Sequence, residues 1–282
     1  MIQLLRAQLR RASDLSKDAA FAVGFVGKAG LLQDISIPGV ASFTRDLLRV
    51  RMGPHLAVLF HARTHPNRPA LVCGDRQWSY SQLNDSINQL ARSLGLLGLS
   101  NGEAVALMLP NCSEHVVAQE TMPRVGAIAV QIGTRLKSAE IAHVLDNAAP
   151  QIMIYHHSYE QEVKRAIQQG GFLEESQLLV VGAPSAAAVF GSRYEEVVDS
   201  QSVELAAVAG GSEGGVIIYT SGTTGSPKGA SRSWKDTDLF SVADMMRQAG
   251  MRSDDRHLVV LSLIHISEPT RLWSGSRMPS SA

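Results

Sequence analysis

The chain has 282 residues, 45% of them apolar, and its 26 Lys/Arg are balanced by 26 Asp/Glu. That length holds one large or two ordinary domains, and the apolar share is enough for a sizeable core. The absence of net charge argues against nucleic acid as the main partner.

Two cysteines, Cys73 and Cys112, have no close spacing and read as buried or idle thiols in a reducing compartment. No apolar run reaches the roughly 18 residues needed to span a bilayer. The best stretch, residues 19–32, is interrupted by Lys28 and diluted by Gly24, Gly27 and Gly30. It also lacks a signal-peptide cleavage site, so a cytoplasmic protein is expected.

Residues 1–50 form a distinct N-terminal extension. Ile2, Leu5 and Leu9 fall three and four apart, among Arg6, Arg10, Arg11 and Lys17. The spacing predicts a short basic amphipathic helix. Residues 1–63 hold nine Lys/Arg against four Asp/Glu, a net of +5. Such a helix either makes peripheral contact with an anionic membrane or docks on its own domain. Salt-sensitive binding to liposomes separates the two. Residues 54–69 carry His55, His61 and His65 between prolines. The prolines argue against a helix there, and no Cys or carboxylate cluster accompanies the histidines, so no metal site is assigned.

From Ala70 strands and helices alternate. Residues 70–73 read as a strand and Gly74-Asp75 as a turn. Ser79 or Ser81 caps a helix with Leu83, Ile87, Leu90, Ala91 and Leu94 on its apolar face. Residues 104–109 are a buried strand, followed by a helix that opens at Ser113 and that Pro123 bends or ends. Residues 127–132 are a strand, Ser138 caps a helix with Ile141, Val144 and Leu145 inward, and residues 152–155 are a strand. Residues 158–169 are a helix and 178–181 a strand. Residues 183–215 look like an irregular connection. The alternation predicts an α/β fold, with mainly parallel sheets flanked by helices.

The chain is organised around Tyr-Thr-Ser-Gly-Thr-Thr-Gly-Ser-Pro-Lys-Gly at 219–229. The apolar run Val216, Ile217 and Ile218 enters it, and Leu239, Val242, Ala243 and Met246 mark a helix beyond. The stretch is therefore expected as a loop between a buried strand and a helix. Gly222 and Gly225 let backbone N–H groups turn toward one point, which makes an anion-binding nest. Thr220, Ser221, Thr223 and Thr224 add hydroxyl donors, and Lys228 adds a positive charge. The sum is a polyphosphate holder whose lysine serves best where negative charge builds on the transferring group. A Walker-type loop needs Gly-x-x-x-x-Gly-Lys-Ser/Thr. Counting from Gly222, the sixth residue is Pro227, so that match fails.

The stretch resembles the phosphate-binding signature of the adenylate-forming enzymes, among them acyl-CoA synthetases, aryl-CoA ligases and adenylation domains. Trp78, Tyr80 and Leu83 resemble the family's early aromatic-Tyr-x-x-Leu segment, and Leu109-Pro110-Asn111 with Glu114 its strand-end segment. The run through Gly126 and Ala127 resembles Gly-Ala-x-x-x-Pro-x-Asn, but Gln131 and Gly133 stand where proline and asparagine are usual. The resemblance implies that residues 51–260 are the N-terminal part of the synthetase large domain. It implies that Thr220, Ser221, Gly222, Thr223, Thr224, Gly225 and Lys228 bind the β- and γ-phosphates of ATP, with magnesium on the nucleotide and Lys228 catalytic. The implied reaction activates a carboxylate as an acyl-adenylate and passes it to coenzyme A. The long basic N-terminus is most similar to that of fatty-acyl-CoA synthetases related to fatty-acid transport proteins. A ligase for an aryl or amino acid, and a phosphate-binding NTPase without adenylation, are the alternatives.

The ending has another character. Residues 261–271 resemble the in-frame translation of a transposase-type sequencing adapter, residues 276–282 its distal part, and residues 272–275 an index between them. Residues 261–282 are therefore expected to be non-native, and coding DNA that differs from adapter sequence would contradict this. His265 is excluded as a site residue, although Leu261 to His265 mimics the family's Leu-Pro-Leu-x-His segment. The adenine-side residues and the C-terminal lysine of the family have no counterpart in this sequence, so these 282 residues alone are expected to lack ligase activity.

Overall fold

A computed structural model describes residues 36–47, 49–50, 55–170, 173–205, 214–220, 228–233, 255–259 and 262–263. The basic helix expected at residues 2–17 and the apolar stretch 19–32 lie outside them, as does the helix expected at 239–246. Two helices open the described chain, α1 (Ile37–Leu47) and α2 (Leu56–Thr64). Asp46 is buried and accepts a 2.7 Å hydrogen bond from Arg63 Nε, while Phe43 and Phe60 meet edge to face at 5.2 Å. The prolines at 54 and 66 therefore flank a helix instead of excluding one, because both lie outside its ends. This corrects the loop expected there.

A hairpin follows, β1 (Pro69–Cys73) and β2 (Arg76–Ser79), turning through Gly74 at φ +58°. Helix α3 (Tyr80–Leu96) starts from a capping box. The Ser79 N–H donates to Gln82 Oε1 at 2.9 Å, and the Gln82 N–H donates to Ser79 Oγ at 3.2 Å. Two orphan amides are satisfied at once, which selects Ser79 over Ser81 as the cap.

The main sheet holds β3 (Ala104–Met108), β4 (Ile128–Gln131), β5 (Ile152–His156), β6 (Leu178–Val181), β7 (Ser192–Arg193), β8 (Gly215–Thr220) and β9 (Lys228–Ser233). Its spatial order is β7-β6-β5-β3-β4-β8-β9. Every neighbouring pair is parallel except β8 with β9. The central parallel strands are mostly apolar because helices cover both faces. In β3, Val105 and Leu107 join the core under α3 and α4 (Ser113–Val125). Ala104, Ala106 and Met108 join the core under α5 (Ser138–Ala148) and α6 (Glu160–Gly170).

Three further expectations change in detail. Pro123 does not end α4, which runs on to Val125 and stops at Gly126, whose φ of +70° suits glycine. Lys137, not Ser138, occupies the cap position of α5, and its N–H donates to Glu140 Oε2 at 2.9 Å. The connection expected at 183–215 contains β7 and a short helix, α7 (Tyr194–Val198), with Tyr194 and Val198 buried. Asn88 Nδ2 of α3 then donates to the Val203 carbonyl at 2.9 Å and pins the connection at that residue.

Candidate active site

Strand β8 enters the core as predicted, with Val216 and Ile218 4% exposed. What leaves the signature is a strand: β9 returns along β8, with Tyr219 opposite Gly229 and Thr220 opposite Lys228. A second strand thus stands between the segment and the helix expected at 239–246, which lies outside the described residues. The physical reason is the open edge of β8, whose unpaired amides and carbonyls accept a neighbouring strand of almost any composition.

The hairpin brings the two ends of the glycine and hydroxyl segment together at the C-terminal end of a parallel strand. Open α/β sheets bind ligands at that end of their strands. The backbones of Thr220 and Lys228 are register partners. Ser221, Gly222, Thr223, Thr224 and Gly225 lie outside the described residues, as do the side chains of Thr220 and Lys228.

Two signature residues have roles that can be assigned locally. Tyr219 Oη donates to Asn147 Oδ1 at 2.6 Å and ties the hairpin to α5. A Cβ on Gly229 would come within 3.0 Å of Ile217 Cγ2 and 3.2 Å of Tyr219 Cζ. The closing glycine of the signature thus lets the tyrosine ring lie across the partner strand.

Around this end of the sheet stand the ends of β3 and β4. His115 is fully buried, with Nδ1 at 3.0 Å from the Pro110 carbonyl oxygen and Nε2 at 3.3 Å from Gln131 Oε1. Burial holds His115 below the usual histidine range, and these two hydrogen bonds oppose the shift. Asn111 Oδ1 accepts the Leu263 N–H at 2.9 Å, and Leu263 is buried. Sequence reasoning treated Gln131 only as a departure from pattern and passed over His115. A polar residue ending an apolar strand, with a histidine two residues into the preceding helix, was the available signal.

The three N-terminal histidines do not converge. Burial, reinforced by Arg124, lowers His55 to about 3. His61 stacks on Tyr80 with ring centres 4.7 Å apart, and burial, then His65 and Arg68, lower it to about 4. Among the described residues no group of three or more His, Cys, Asp or Glu could hold a metal ion. Among them, too, no helix is long and apolar enough to cross a membrane.

The family model for AMP-binding enzymes matches residues 60–275. A 2-succinylbenzoate–CoA ligase of Bacillus licheniformis is 29% identical over 216 residues, which are 75% of this chain and 40% of that protein. A long-chain-fatty-acid–CoA ligase of Mycobacterium tuberculosis is 30% identical over 196 residues, 70% of this chain and 37% of the relative. The crystal structure of the anthranilate–CoA ligase AuaEII in complex with anthranoyl-AMP superposes with a TM-score of 0.55 at 26% identity. That overlap covers 74% of this chain and 36% of the ligase. The chain thus spans about two-fifths of the length of the curated relatives it matches.

Proposed function

Since the chain belongs to the AMP-binding enzyme family, we propose that its signature hairpin holds the β- and γ-phosphates of ATP while a fatty acid is activated for transfer to coenzyme A. The observation that carries this reading is the register pair of Thr220 and Lys228, which closes a glycine and hydroxyl segment at the ligand end of the sheet. In the proposed reaction a carboxylate oxygen attacks the α-phosphorus. The bond from that phosphorus to the bridging oxygen breaks, and pyrophosphate departs with the electron pair. The backbone amides of residues 220–225 would follow the charge onto the leaving group, and Lys228 would meet it where it is greatest. Magnesium, a hard cation that prefers phosphate and water oxygens, would be held by the nucleotide. The coenzyme A thiol then attacks the acyl carbon and releases AMP.

A fatty acid is favoured by the long basic N-terminal segment and by the 30% identity to a long-chain ligase. The similarity to 2-succinylbenzoate and anthranilate ligases supports an aryl acid as the second reading. Acid-dependent exchange of labelled pyrophosphate into ATP separates them, run over fatty, aryl and amino acids on a protein extended to the length of the relatives. Exchange is expected with fatty acids, and Lys228→Ala is expected to slow it about 10²-fold or more. Phosphate release without exchange would instead mark an NTPase.

A further inference from the structure

Gln131 stands where the family pattern has proline, and its amide is 1% exposed. Such a group is costly unless it is paired. Its partner is His115, itself fully buried. The hydrogen bond to Pro110 fixes the chemistry. A carbonyl only accepts, so Nδ1 carries the proton across the 3.0 Å contact. A neutral ring then has a lone pair at Nε2, and it needs a donor there.

Gln131 Nε2 is buried with no protein partner, while Oε1 sits 3.3 Å from the imidazole. Turning the amide by half a rotation joins a donor to that lone pair, an exchange that the hydrogen-bond network decides. The alternative, a doubly protonated imidazole donating to Oε1, sets a cation in the core with no counter-ion among these contacts.

Both residues sit on elements that frame the hairpin. Gln131 ends β4, pairing with Leu107 of β3 on one side and Ile218 of β8 on the other. Ile218 is two residues short of Thr220. His115 lies in the first turn of α4 and holds the turn that bears Asn111. We infer that His115 and Gln131 form a buried positioning pair, which holds the Pro110-Asn111 turn against the end of β4 and so sets the wall beside the phosphate-binding hairpin. Its effect on ligand rests on the polyphosphate reading of that hairpin. Gln131 acts through His115 and touches no reacting atom.

The test uses the 282-residue chain. Long-range proton–nitrogen spectra of histidine labelled with nitrogen-15 should show His115 as a neutral Nδ1–H tautomer. Gln131→Met, which keeps the length and removes the amide, should leave the proton on Nδ1, where Pro110 holds it, and shift the Nε2 resonance of the freed lone pair. It should also weaken tripolyphosphate binding, measured calorimetrically, about fivefold, the effect of one orphaned buried group. Should Gln131→Met fail to fold, His115→Gln carries the test, since it keeps an N–H for Pro110 and an amide for Gln131. It should bind tripolyphosphate within about twofold of the parent, where His115→Leu loses about fivefold. A charged or Nε2–H His115 in the parent chain overturns the pair. So does unchanged affinity in Gln131→Met, or equal losses in His115→Gln and His115→Leu. A parent chain with no tripolyphosphate affinity overturns the hairpin reading and the positioning role with it, and the spectra alone then decide whether the pair itself exists.

Discussion

The two faces of the main sheet are packed on different terms. Under α5 and α6 the interior is dry: Ile141, Val144, Leu145, Met153, Val163 and Ile167 fill it, and the Tyr155 hydroxyl leaves it by donating to the Phe190 carbonyl at 2.6 Å. Under α3 and α4 the core is apolar as well, with Leu83, Ile87, Leu90, Val117 and Met122, but beside it an arginine of α4 is sealed against α3. Arg124 is fully buried, donating through Nη1 and Nη2 to Asn84 Oδ1 at 3.1 Å and through Nη1 to Asn88 Oδ1. Burial draws its guanidinium down to about 10, with Glu120 holding it up, so it remains a cation at neutral pH. Dispersion and area hold the first face, where a lost methyl costs in proportion to its size. The second adds to its apolar core a charge and its acceptors, where losing one partner strands the others.

The largest expected effect tests that contrast directly. Arg124→Ala removes the shared donor of Asn84 and Asn88 and the countercharge of Glu120, and should destabilise the fold by about 3–5 kcal/mol in urea unfolding. A loss under about 1 kcal/mol would mean that the arginine contributes no more than a surface residue. On the dry face, Leu145→Ala should cost about 3 kcal/mol, within the usual range for a buried leucine. An equal cost in acid and at neutral pH would mark this face as free of titrating groups.

The smallest effect is a pH slope confined to the polar face. Burial pushes Glu120 up to about 7, against the pull of Arg124. Its unfolded value is the ordinary 4.5. Between those values this carboxyl binds more proton in the native state than in the unfolded chain, so its contribution to stability falls as pH rises from about 4.5 to about 7, opposite in sign to that of the lowered His55 and His61. The expected loss from this group is on the order of 2 kcal/mol. Glu120→Gln should remove this falling component, so that denaturation midpoints across that window rise more with pH than in the parent. An unchanged slope would show that another group titrates there.

Much of the fold could be read without coordinates, and the strands show why. Residues 104–108, 152–155 and 178–181 are apolar runs too short for helices, bounded by turns, and each forms a parallel strand. What escaped were elements whose stability comes from a partner distant in sequence. Arg-Gln-Trp-Ser at 76–79 has no apolar alternation, and it is a strand because β1 offers it an edge. Residues 56–64 look unpromising beside two prolines and three histidines, yet Asp46 and Tyr80 give Arg63 and His61 their partners.

The candidate site divides the same way. Glycines, hydroxyls and a lysine after proline point to a phosphate-binding stretch by local chemistry, since residue types decide which groups can face an anion. The sequence by itself also determined the α/β class, through the alternation of buried runs with amphipathic ones. Only the tertiary structure decided that Lys-Gly-Ala-Ser-Arg-Ser returns as β9, because an unpaired edge supplies hydrogen bonds that no side-chain pattern announces. Only there did Gln131 and His115, 16 positions apart, become partners. A buried amide declares its cost in the sequence, but the group that satisfies it is chosen by which strands the fold sets side by side.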